Sequence, residues 1–156
     1  MMRTMTDAQA TRPSDCILCS LVDGLENRSV VYEDAACLAL MTIEPVNPGH
    51  VMDVPRMHVA LVSELDDDLW LHVSAVAKRV EAAIRTSGVR CEGTNMFLAD
   101  GEAAFQEVPH VHLHVLPRFL GDNFRIEADW SQSPSRDDLD RTASLIADAL
   151  RPASGG

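Results

Sequence analysis

The segment His110-Val111-His112-Leu113-His114-Val115-Leu116 constrains this chain more than any other. Histidines and aliphatic residues alternate with a period of two, the period of a β-strand, whose successive side chains point to opposite faces. His110, His112 and His114 therefore share one face, with neighbouring bases about 6.5–7 Å apart. Val111, Leu113 and Val115 share the other face, which has to be buried. A single ribbon cannot bury it; a sheet with a covering layer can.

The rest of the chain supplies both. Residues 30–32, 37–43, 50–54, 95–99 and 108–116 read as strands, and Asn47-Pro48-Gly49 is a turn that pairs the second with the third as a hairpin. Leu69, Val73, Val76, Val80 and Ile84 repeat every three or four residues, the stripe of an amphipathic helix. Ser63 and the run Asp66-Asp67-Asp68 stand at its N-terminal end, where negative charge favours the helix dipole, and Gly88 stops it. Residues 16–22 read as a short helix with Ser14 or Asp15 as N-cap and Gly24 as its stop. A last helix, about 136–150, has Ser135 as its cap and Leu139, Ala143, Ile146 and Leu150 as its inner stripe. Strands and helices are partly segregated, which predicts an α+β fold with an antiparallel sheet. One domain is expected over residues 15–150, between loose tails at 1–14 and 151–156.

Composition narrows the partners. The 156 residues suffice for one core. Thirteen Lys and Arg against 24 Asp and Glu leave a net charge of -11. Such a surface repels phosphate polymers and anionic membranes, so no nucleic-acid polymer and no membrane is expected as partner. No apolar run reaches the ~18 residues of a membrane helix, and the first residues lack the apolar stretch of a secretory signal. A cytoplasmic location is expected, with Cys16, Cys19, Cys37 and Cys91 as thiols or metal ligands rather than disulfides.

Three aligned imidazoles suit nucleophilic chemistry at phosphorus. One ring attacks, a second donates a hydrogen bond to the substrate or leaving group, and a third fixes the tautomer of the first. Positive charge on the flanking rings would stabilise the phosphoryl charge that develops. A His-x-His pair on a strand is also a common transition-metal arrangement, and a purely structural role is a third reading. No carboxylate lies within the strand; the nearest are Glu107 and Asp122. Separately, Cys16-x-x-Cys19 has the spacing of half a tetrahedral zinc site. The alternatives there are a redox pair, for which no thioredoxin-like surroundings exist, and two small residues packing the first helix.

Taken together, these features resemble the histidine-triad (HIT) family motif, His-φ-His-φ-His-φ-φ with φ apolar, and every position matches. The resemblance extends to Gln106 before the triad, to Leu116-Pro117-Arg118 and Gly121-Asp122 after it, to Glu44-Pro45-Val46-Asn47-Pro48-Gly49-His50, to Val54-Pro55-Arg56-Met57-His58, and to the Cys16–Cys19 pair. It covers residues 15 to about 126.

The resemblance implies a HIT-like α+β fold with one long and one C-terminal helix, its sheet continued across a homodimer. It implies hydrolysis or nucleotidyl transfer at the α-phosphate of a nucleoside monophosphate derivative. His112 would be the nucleophile, His114 would contact phosphate oxygens, His110 would orient His112, and Gln106 would bond a phosphate or bridging oxygen. Thr42, Ile43, Asn95, Gln106 and Glu107 would line the nucleotide site. Cys16, Cys19, His58 and His110 would hold a structural zinc, with His50 as the alternative ligand, and no catalytic cofactor is implied. Two positions depart from the family pattern. Thr42 stands where many members carry an acidic residue or Asn for the ribose, and Glu107 where many carry Ser or Thr. These departures keep a non-catalytic nucleotide-binding or adaptor module open as an alternative function; a metalloenzyme using the triad as ligands is the other.

Overall fold

The computed structural model describes residue 13 and residues 15–151. The predicted tails, and Ser14 as a cap, lie mostly or wholly outside them. The chain divides into two compact units, one ending at Phe124 and one running from Arg125 onward.

The first unit is α+β. Its elements are α1 (Ile17–Val22), β1 (Val30–Glu33), β2 (Cys37–Met41), β3 (Val51–Pro55), α2 (Asp67–Thr86), β4 (Gly93–Phe97) and β5 (Leu113–Arg118). The five strands form one sheet in the order β1-β2-β3-β5-β4, and every pair is antiparallel. The predicted hairpin is β2–β3, with Cys37 opposite Pro55 and Met41 opposite Val51.

Alternation along the strands builds two apolar layers. Cys37, Ala39, Val51, Leu113 and Val115 face α2, whose Val73, Val76, Ala77, Val80 and Ile84 cover them. This is the stripe read from the sequence, and each such side chain, fully buried, contributes ~1.5–3 kcal/mol. Leu38, Leu40 and Val54 face the opposite way and pack with Cys16, Leu18, Cys19 and Val22 of the α1 region. The acidic start of α2 does more than favour the dipole: Asp66 is its N-cap and accepts from the Asp68 N–H at 2.9 Å.

Three expectations need correction. The triad strand begins at Leu113, not near 108. Pro109 has no N–H for a ladder, and the His110 N–H turns back to the Val108 carbonyl at 2.8 Å. His110 and His112 therefore precede the paired segment. Second, the N-cap of α1 is Cys16, and its side chain makes no cap bond because the thiol is turned toward a His110 nitrogen. Third, α3 (Arg136–Leu150) has the predicted span and Ser135 cap, yet none of its residues is buried. It belongs to the second unit, whose described residues include no sheet to cover Leu139, Ala143, Ile146 and Leu150. No helix among the described residues is long and apolar enough to cross a membrane.

Candidate active site

The hairpin, β5 and the residues entering it bring three histidines to one region. His114 lies in β5 opposite Met52 of β3, so His50, two residues before Met52, lies on the same face. His50 and His114 join through Nε2 and Nδ1 at 2.9 Å, and the His112 and His114 ring centroids are 4.8 Å apart. Phe97 of β4, opposite His114, stacks on its ring at 5.6 Å.

Carbonyl and amide partners determine where each ring carries its proton. A carbonyl only accepts, so His112 Nδ1 donates to the His110 carbonyl at 2.7 Å. That leaves a lone pair on His112 Nε2. His50 Nδ1 accepts from the Val46 N–H at 3.3 Å, so its Nε2 carries the proton and donates to His114 Nδ1. The proton of His114 is then on Nε2, free to donate. Burial, and then the neighbouring His112 and His50, push His114 down to about 4, and burial lowers His50 as well. His114 is thus a neutral donor at pH 7, which corrects the expectation of a positively charged flank. His112 is only 7% exposed, whereas His114 is half-buried.

His110 faces elsewhere. Its Nε2–H donates to the Pro55 carbonyl at 2.9 Å, leaving a lone pair on Nδ1. That nitrogen lies 3.5 Å from Cys16 Sγ, 3.5 Å from Cys19 Sγ and 3.3 Å from His58 Nδ1, and His58 Nδ1 lies 3.3 Å from Cys19 Sγ. Zinc–ligand bonds of 2.0–2.3 Å in a tetrahedron separate ligand atoms by about 3.3–3.8 Å. The donor set, two sulfurs and two nitrogens, therefore fits zinc, and the Pro55 carbonyl supplies the outer hydrogen bond that metal-bound histidines use. His50 is not in this cluster; its ring is engaged with His114. Of the triad, only His110 belongs to a potential metal cluster among the described residues.

The remaining predicted residues divide. Gln106 accepts from the Gly101 N–H and donates to the Ala60 carbonyl, each at 2.8 Å, so it braces two loops and keeps one N–H spare. Asn95 accepts from Arg118. Arg118 also clasps Asp122 through Nε at 2.6 Å and Nη2 at 2.8 Å, and Asn47 donates to Asp122 at 2.9 Å. Glu107 lines a cleft with Cys16, Ile17 and His58. Thr42 accepts from the Glu44 N–H, and Ile43 is almost fully exposed. His50 as the partner of His114 was missed. Strand alternation places it on the triad face, but the pairing of β3 with β5, which no local signal reveals, is what joins them.

The HIT domain family model matches residues 25–121. A HIT family protein from Bacillus anthracis is similar in structure, with a TM-score of 0.82 at 30% identity, covering 90% of this chain and 100% of that one. A zinc-bound histidine triad family protein from Mycobacterium smegmatis has a TM-score of 0.68 at 31% identity, covering 88% of this chain and 98% of that one. Adenylylsulfatase HINT3 from Arabidopsis thaliana is 26% identical over 149 residues, 91% of this chain and 71% of that protein.

Proposed function

The chain belongs to the HIT domain family, and from that premise we propose that it is a nucleotide hydrolase or nucleotidyl transferase working through a covalent nucleotidyl-His112 intermediate. The observation that carries this reading is the hydrogen bond from His112 Nδ1 to the His110 carbonyl, which leaves Nε2 with a free lone pair beside His114. His112 Nε2 attacks the α-phosphorus, the bond from phosphorus to the leaving group breaks, and the leaving group departs with the electron pair. The Nε2–H of His114 donates to a phosphate oxygen as charge builds there. Water, or another acceptor in a transferase, then attacks phosphorus from the opposite side and gives up a proton to solvent, the P–N bond breaks with its electron pair returning to Nε2, and neutral His112 is restored. A relative named as an adenylylsulfatase supports an adenylyl derivative as substrate.

Cys16, Cys19, His58 and His110 would hold a zinc ion whose role is structural: it ties α1 to the chain entering β5. The zinc-bound relative supports this assignment. A homodimer with the sheet continued through the free edge of β4 agrees with the half-exposed Met96 and Phe97 on that strand. A HIT domain assignment over residues 15–150 and a cytoplasmic location are part of this proposal.

The test is to incubate the protein with adenylyl sulfate and with an AMP phosphoramidate, and to follow AMP release and the intact mass. Wild type is expected to release AMP and to trap one AMP per chain on rapid quenching. His112→Ala is expected to trap none and to lose roughly 10³-fold or more in kcat/KM. Binding of AMP with no turnover of any such substrate would favour the adaptor reading.

A further inference from the structure

A second group of metal-competent side chains lies on the other side of the sheet. Asp34, in the turn after β1, Cys37, at the start of β2, and His72, in the second turn of α2, place one ligand atom each within 4.8 Å of one another. We propose that Asp34, Cys37 and His72 form a second cation site, for a borderline transition-metal dication of the zinc class, with one coordination position left to water.

The three donors come from three elements and are already oriented. Asp34 Oδ1 accepts from the Ala36 and Cys37 N–H groups at 2.8 Å each, which fixes the carboxylate. Its Oδ2 accepts from the Tyr32 hydroxyl at 2.7 Å and from His72 Nε2 at 2.6 Å. Tetrahedral coordination needs about 3.3–3.8 Å between ligand atoms. The Asp34–His72 contact is shorter than this and the cluster's outer limit is longer, so small rotations of His72 and Cys37 suffice. His72 is the way in, since 39% of its side chain is exposed. Binding moves the His72 proton from Nε2 to Nδ1 and releases one proton from Cys37 to solvent. One thiolate, one imidazole and one carboxylate form a mixed donor set that suits zinc or cobalt rather than magnesium or calcium.

A further carboxylate lies on the same face of the sheet. Asp53 is fully buried, and neither of its carboxylate oxygens has a hydrogen-bond partner. Such a group costs several kcal/mol while charged, and it lowers that cost by holding its proton. Asp53 lies opposite Ala39 while Cys37 lies opposite Pro55, so Asp53 and Cys37 share the α2 face of the sheet at neighbouring positions. Asp53 is outside the cluster itself and is not one of its ligands. Because Cys16 and Cys19 pack with the opposite layer, the sheet separates the two sites.

Full-length protein carrying one equivalent of zinc is titrated with Co²⁺. Zinc, the tighter binder, keeps the Cys16–Cys19 site. A further equivalent of Co²⁺ is expected, with a near-ultraviolet thiolate-to-cobalt charge-transfer band. His72→Ala and Cys37→Ser are each expected to lose that band, and His72→Ala to weaken the second binding at least tenfold; retention of the first zinc shows that the variant is folded. His72→Gln, which keeps a polar contact to Asp34, is expected to behave like His72→Ala. Absence of a second equivalent up to millimolar Co²⁺, binding without the band, or a band that survives His72→Ala overturns the proposal. AMP release does not enter the readout, so failure here and failure of the proposed activity are distinct.

Discussion

At the residue scale the decisive feature is a set of imidazoles whose tautomers are fixed by hydrogen bonds. Val46 fixes His50, His50 fixes His114, and the His110 carbonyl fixes His112. Removing His50 lets His114 place its proton on either nitrogen. His50→Ala is expected to lower kcat about tenfold, close to 1.4 kcal/mol in the barrier, and His50→Gln, whose amide still donates, to recover part of it; steady-state rates on an adenylyl substrate check both. Asp53 gives a prediction of opposite character. Burial pushes its carboxyl up to about 7 from an ordinary 3.8. Between those values the folded chain holds a proton that the unfolded chain has lost. Its contribution is therefore complete below about pH 4, and stability falls as pH rises toward 7. Asp53→Asn is expected to remove that slope and to raise the unfolding free energy at pH 8 by on the order of 2–4 kcal/mol, read by urea denaturation across pH. A slope unchanged in the variant would show that Asp53 is not its source.

At the scale of elements, the turn before β3 is held by geometry that only glycine meets. Gly49 has φ +93°, and a Cβ there would lie 2.7 Å from Val89 Cγ1 and 3.1 Å from Pro117 Cγ. Gly49→Ala is expected to cost more than ~1–3 kcal/mol, seen as a lower melting temperature, because strain and overlap add. Local periodicity made α2 legible in advance, the Asn47-Pro48-Gly49 turn the β2–β3 hairpin, and Ser135 the cap of α3, whereas the sequence marks Asp66 only as charge beside the dipole and not as the cap of α2. The start of β5 was not, because alternation in His110-Val111-His112 continues past the point where Pro109 ends the ladder. The His50–His114 pair was hidden for a related reason: it depends on which strand neighbours which. The stripe on α3 was read correctly as apolar, but a stripe does not reveal whether anything covers it. Among the site residues, the four metal donors came together as expected, whereas Gln106 and Asn95 have side-chain partners that their positions alone did not disclose.

For the whole molecule, the sheet leaves two free edges, β1 and β4. The proposed pairing through β4 predicts a sedimenting species of twice 17.1 kDa, and Met96→Arg, which sets a charge on that edge, is expected to shift it toward single chains. A wild-type species of one chain would rule the pairing out. Removing zinc is a second global test. Cys19→Ser is expected to release the metal and lower the melting temperature, with a smaller loss of turnover in the protein still folded. That smaller loss would have a structural origin in His110, whose ring points at Cys16, Cys19 and His58 while its peptide oxygen accepts from His112, the proposed nucleophile. A screen that scored only product formation would therefore count Cys16 and Cys19 among the reacting groups, although the proposed mechanism gives them no step.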